Sequence, residues 1–132
     1  MADGANEPVL VALTVPARRS LVEGLVRAPG SAAVVDADVP DADLAAFLAG
    51  AAHTDGGFVA RTGSGERAVA VVAATVAALC GFDIRAALAR PDIAFLTGLK
   101  PPAVEAARSV LLAIETDAVT EVTRALGILA PN

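Results

Sequence analysis

Apolar positions come in short continuous runs along the first half of the chain and at helical spacing along the second. Residues 9–15 (VLVALTV) form a compact β-branched run, the pattern of a buried strand. Pro16 suits the first turn of a helix, and Leu21, Val22, Leu25 and Val26 give that helix an apolar stripe, with Arg18, Arg19 and Glu23 on its wet face. Pro29-Gly30 stops it. Residues 32–36 (AAVVD) predict a second strand. Asp41 is placed to cap a helix carrying Leu44, Phe47 and Leu48 on one side. Gly56-Gly57 leads into a third strand over residues 58–61. Gly63-Ser64-Gly65 then turns the chain into a helix over 66–79. Val69, Val71, Val72 and Val76 are dense enough in β-branched residues for a strand to be the alternative there.

From Phe82 onward the spacing is helical. Asp83 caps a short helix through Leu88, Arg90-Pro91 breaks it, and residues 92–96 form another short turn of helix. Lys100-Pro101-Pro102 is a rigid boundary, because each proline removes a donor and restrains the residue before it. Residues 103–115 predict one long amphipathic helix with Val104, Ala107, Leu111 and Ile114 on its apolar side. Thr116 or Asp117 starts a last helix that ends near Gly127, a natural C-cap. The expectation is a disordered lead over residues 1–7 and one α/β or α+β domain over 8–132. It has a small mixed β-sheet covered by helices and a helical C-terminal third.

A chain of 132 residues is long enough to bury a real core. Its 55% hydrophobic content is mostly an excess of Ala and Val, with no Trp, no Tyr and four Phe. Small side chains favour close helix packing and covered apolar surface, which predicts a homo-oligomer, a dimer first. Ten Lys and Arg against fifteen Asp and Glu leave a net charge of −5. An acidic surface with few aromatics argues against nucleic acid as a partner. The longest apolar run, residues 68–81, contains Thr75 and is too short to cross a bilayer. The N-terminal MADGANEP has no signal-peptide pattern. No membrane partner and a cytoplasmic location are therefore expected. One cysteine, Cys80, and one histidine, His53, are too few for an internal disulfide or a structural zinc site.

The residues with chemical potential cluster where strands give way to helices. Thr62-Gly63-Ser64-Gly65-Glu66-Arg67 could cradle a phosphate. The glycines allow close approach, Thr62 and Ser64 carry hydroxyls, the helix start presents N–H groups, and Arg67 adds positive charge. The alternative is a turn that needs its glycines only for their dihedrals. Asp36, Asp38, Asp41 and Asp43 form an acidic cluster in which Asp36 and Asp38 are candidate Mg²⁺ ligands, or ordinary loop residues beside a capping Asp41. His53 is the sole imidazole and so the candidate general base, with Thr54 and Asp55 to orient it. A lone histidine at a helix end is more often a cap or a surface residue interacting with the helix dipole. Cys80 reads as an inert buried thiol. Ser64 lacks the GxSxG elbow of a hydrolase.

Three separated pieces carry a family resemblance: AAVVD at residues 32–36, AFLAGAAHTDGGFVARTGSGER from Ala46, and DIAFLTGLKPPAV from Asp92. In this order they resemble a shortened 3,4-dihydroxy-2-butanone-4-phosphate synthase, the ribulose-5-phosphate enzyme of riboflavin biosynthesis. The resemblance covers about a third of the chain. Asp36, His53 and Thr54 fall on recognisable family positions. The family's acidic catalytic loop and its GHTEA histidine motif are absent. The resemblance thus implies a reduced, lyase-like relative with an α/β core and a pocket for a phosphorylated sugar-like ligand. Two functions stay open. One is a domain that binds, or acts on, a phosphorylated metabolite between Asp36–Asp41 and Thr62–Arg67. The other is a non-catalytic interaction domain or small subunit that packs on a protein partner. A ligand site needs Arg61 or Arg67 directed inward, whereas a scaffold leaves them in water.

Overall fold

The structure, a computed structural model, describes residues 20–130. The strand expected over 9–15, the helix start at Pro16 and the 1–7 lead lie outside the described residues. Where the sequence predicts the apolar stripe of a first helix, Ser20 instead closes a tight turn. Its Oγ accepts the N–H groups of Val22 and Glu23, both at 3.1 Å, and Gly24 takes φ +71°. A left-handed residue ends any helical run, and glycine takes that conformation without steric cost. Leu21 and Leu25 are still buried. The chain then enters a two-residue strand, β1 (Val26–Arg27).

Strand β2 (Val35–Asp36) is shorter than the expected 32–36. It is followed by α1 (Asp41–Ala51), which buries Leu44, Ala45, Leu48 and Ala51. Asp41 does not cap this helix. The N-cap is Pro40, whose carbonyl accepts from Asp43 and Leu44, and no side chain caps the end. The Asp41 carboxylate is drawn to Arg67 instead. Strand β3 (Phe58–Arg61) has the predicted bounds, and Phe47 of α1 meets Phe58 edge-on at 5.0 Å.

Next comes α2 (Gly65–Cys80), a helix and not the alternative strand. Ser64 caps it by accepting the Arg67 N–H, and Gly81 ends it in the left-handed conformation. A side-chain cap and a C-terminal glycine outweigh the modest helix penalty of valine. Twelve of its sixteen residues are buried, so it is the central helix, packed on α1, on β4 and on the later helices. Buried Thr75 satisfies its hydroxyl on the Val71 carbonyl four residues back. Cys80, expected to be buried, is the last residue of α2 and is exposed.

Helices α3 (Ile84–Ala89) and α4 (Ile93–Thr97) start at Asp83 and Asp92, whose side chains accept from Ala86 and Phe95 at 3.0 Å. The largest correction follows. The predicted helix over 103–115 is two elements: α5 (Pro101–Val110), with both prolines in its first turn, and strand β4 (Leu111–Glu115). Helix α6 (Val119–Leu126) and a 3₁₀ turn (Gly127–Leu129) complete the described residues. Gly127 has φ −58°, so it continues the coil as that turn where a left-handed cap was expected.

The strands form a four-stranded sheet in the order β1-β4-β3-β2, every pair parallel. The expected sheet was mixed. It is parallel because β2, β3 and β4 are each separated by helices that return the chain to the same end. Among the described residues, the four-stranded sheet with six α-helices bears out the α/β reading. Among the described residues no helix is long and apolar enough to cross a membrane.

Candidate functional site at the carboxyl edge of the sheet

In a parallel sheet every strand delivers its last residue to one edge. Here those residues are Arg27, Glu115, Arg61 and Asp36, in spatial order across the sheet. The register pairs Arg27 with Glu115, Glu115 with Arg61, and Arg61 with Asp36. Partners in register point to the same side, so the edge carries a row of alternating charge. Carboxyl edges of open α/β sheets are also where such folds hold ligands.

Glu115 is the centre of the row and is only 1% exposed. Its carboxylate accepts from the Ser31 hydroxyl, from the Gly30 N–H at 3.1 Å and from the Ser31 N–H. Arg27 Nε donates to it at 3.2 Å. The Ser31 hydroxyl does most to hold the charged form, and the Gly30, Ser31 and Arg27 donors add to it against the opposing effect of burial. The result is a carboxyl lowered from 4.5 to about 2. Glu115 therefore stays ionised and pins the β1–β2 connection across the end of β4. Sequence reasoning missed it because the residue was placed inside a helix.

The predicted turn is present and its residues do meet, but mostly with each other. Thr62, fully buried, donates to Asp38 Oδ1 at 2.6 Å and accepts the Ser64 N–H at 3.2 Å. Asp38 Oδ2 lies 3.4 Å from the Gly63 N–H, and Asp36 Oδ1 accepts the Asp38 N–H at 2.9 Å. The Ser64 hydroxyl is the α2 cap. Arg67 is directed inward, but onto the protein: Nε to the Ala37 carbonyl at 2.6 Å, Nη2 to the Val39 carbonyl at 2.8 Å, and Nη1 to Asp41 at 2.7 Å. It clamps the β2–α1 loop against α2. Arg61 is 46% exposed and faces an 85% exposed Asp117 at 3.6 Å, while Arg27, 52% exposed, is tied to Glu115.

His53 and Thr54 are not gathered at this edge. His53 is exposed in the turn after α1, at the end where the chain is about to re-enter the sheet. A helix of eleven residues, about 16 Å long, separates that end from Asp36 and Asp38. Thr54 donates its hydroxyl to the Ala51 carbonyl and closes the end of α1. Asp43 lies in the first turn of α1. Asp36 and Asp38 are tied to each other and to the Thr62 turn. Among the described residues no three His, Cys, Asp or Glu side chains are placed to hold a metal ion. Comparison with protein-family models, with curated proteins and with solved structures finds no match to this chain.

Proposed function

We propose that this domain binds a small phosphorylated metabolite at the carboxyl edge of its sheet, the anionic group meeting Arg61 and the exposed Ser64 hydroxyl beside the start of α2. The observation that carries the reading is Arg61: among the described arginines at this edge it alone is neither clamped to carbonyls nor held to a buried carboxylate. It lies in water beside Asp117 and is not directed inward, so the ligand it meets sits at the surface of the edge. Asp36, its partner in register, gives the ligand's hydroxyls an acceptor, which fits a sugar-like phosphate. The reading is one of binding. Glu115 is held ionised by its four donors, which makes it a poor proton carrier near neutrality. The proposal extends to a homodimer, on the Ala- and Val-rich composition, and to a reducing compartment, which suits the exposed thiol of Cys80.

Thermal-shift measurements against a panel of sugar phosphates and nucleotides, with and without Mg²⁺, test this directly. A sugar phosphate should raise the melting temperature of the wild type. Arg61→Ala should weaken that ligand by about ten- to a hundredfold, the value of one charge-assisted hydrogen bond, at unchanged stability. A panel without any shift, or undiminished affinity in Arg61→Ala, defeats the proposal.

A further inference from the structure

We infer that Asp117 sets the charge of the ligand this edge accepts: it admits a single phosphate and turns away polyanions. The inference rests on the binding reading of Arg61 and narrows its ligand class. Asp117 Oδ2 lies 3.6 Å from Arg61 Nη2, on a side chain that is 85% exposed. The backbone beneath it is tied on both sides. The Thr116 N–H donates to the Arg27 carbonyl at 3.0 Å, and Thr116 Oγ1 accepts the Ala118 N–H at 3.0 Å. Thr116 is buried, and α6 starts at Val119. The Thr62 N–H donates to the Glu115 carbonyl at 3.2 Å, which keeps the ends of β3 and β4 side by side. Asp117 is thus a tethered counter-ion of Arg61. An incoming phosphate can rotate its carboxylate off the guanidinium but cannot send it away.

A carboxylate kept that close acts on a ligand in proportion to the ligand's charge. The surroundings do little to offset it. Arg61 stands between Asp117 and Asp36, its partner in register, and Glu66 is exposed in the first turn of α2. The other arginines of the edge are committed, Arg27 to Glu115 and Arg67 to Asp41. One phosphate gains the Arg61 contact. Each further negative charge meets Asp36, Asp117 and Glu66 with no uncommitted arginine of this edge to answer it. At about 6–7 Å in water, a unit charge shifts an equilibrium about threefold per unit of ligand charge. Like charge set against the wrong ligand discriminates where attraction alone does not. Asp117 also offers an acceptor to hydroxyls beside the phosphate, as Asp36 does. The ligand class is therefore a hydroxyl-rich metabolite with one phosphate, and not a bisphosphate or a nucleoside di- or triphosphate.

Amide NMR titrations of the full chain with inorganic phosphate and with inorganic pyrophosphate, at low salt, test this. The wild type should bind pyrophosphate no more tightly than phosphate. Asp117→Asn should bind phosphate about three- to tenfold more tightly and gain by a larger factor on pyrophosphate. Asp117→Glu, which restores the charge, should behave as the wild type. In 1 M salt, where the Debye length is about 3 Å, the gains of Asp117→Asn should shrink toward none. These variants should melt with the wild type, because the side chain is largely in water. Should Asp117→Asn melt early, Asp117→Ser takes its place with the same expectations. Arg61→Ala separates the inference from the reading beneath it. If Arg61→Ala loses phosphate while Asp117→Asn gains nothing, or gains equally on both anions, the charge filter is overturned and the binding site stands. A wild type that prefers pyrophosphate overturns the filter in the same way. If Arg61→Ala holds phosphate as tightly as the wild type, the reading falls and the filter with it. Should the wild type bind neither anion, phosphate binding by Asp117→Asn upholds the filter, and its absence there overturns both.

Discussion

Arg67 illustrates how one side chain can serve as a fastener. Its fork joins two carbonyls and a carboxylate of the β2–α1 loop to the first turn of α2. Lysine offers donors without that planar geometry, so Arg67→Lys should recover only part of the loss in Arg67→Ala. We expect Arg67→Ala to lower unfolding free energy by about 2–3 kcal/mol, since it strands two acceptors and an acid together. Urea titration of both variants checks this, and a silent Arg67→Ala would mean that water replaces the clamp. Glu115 makes a pH prediction with a definite sign. Its carboxyl is lower in the folded chain, about 2, than the ordinary 4.5, so its contribution is complete above 4.5. That contribution is lost as the pH falls from 4.5 toward 2, where the folded protein must also take up the proton. Urea midpoints measured down that range should fall for the wild type, and fall less steeply for Glu115→Gln, whose amide does not titrate.

Elements are held at fixed distances by two glycines of different kinds. Gly57 has φ +66°, and a Cβ there would lie 2.6 Å from the Ser109 carbonyl and 2.8 Å from that of Val110. Gly57→Ala should therefore cost about 2–4 kcal/mol, through both strain and a clash with backbone. Gly65 needs no special dihedral. It lets the start of α2 approach α6, where an added Cβ would come within 2.5 Å of the Ala125 Cβ. Gly65→Ala should destabilise by about 1–3 kcal/mol, and Ala125→Gly should restore part of it. A double mutant no better than the sum of the singles would show that the contact is not the cause. These elements were unevenly legible. β3, α2, α3 and α4 could be read because glycines, prolines and capping acids punctuate them. The α5–β4 junction carries neither glycine nor proline. Val104, Ala107, Leu111 and Ile114 satisfy a helical period straight across it, although LLAI is also the continuous apolar run of a buried parallel strand. The same ambiguity hid β1 under Leu21, Val22, Leu25 and Val26. The Thr62–Arg67 turn was located correctly, but the Ala37 and Val39 carbonyls that engage Arg67 are thirty and twenty-eight positions away. Backbone partners at that separation leave no mark in the residue pattern.

For the molecule as a whole, the binding and homodimer proposals predict separable behaviour. Arg61→Ala should bind poorly and still sediment as a dimer. Loss of both properties in that variant would mean that the carboxyl edge and the dimer interface are coupled. The order in which the sheet can be assembled follows from β4 being both central and late in sequence. Its neighbour β1 lies 88 positions upstream at the Arg27–Glu115 pair. Until β4 arrives, β1 has no strand to pair with, and β2 and β3 can form only a two-stranded ribbon, marginal by itself. Closing so long a loop before any reward makes for slow, all-at-once folding. In pulse-labelled hydrogen exchange during refolding, the Ile114 and Thr116 amides, which donate to Leu25 and Arg27, should gain protection in one phase. The Ala37 amide, bonded to Arg61, should be protected no later than they are. Until residues 111–115 have emerged from the ribosome, β3 has no β4 to pair with, and an unpaired strand edge is a template for aggregation.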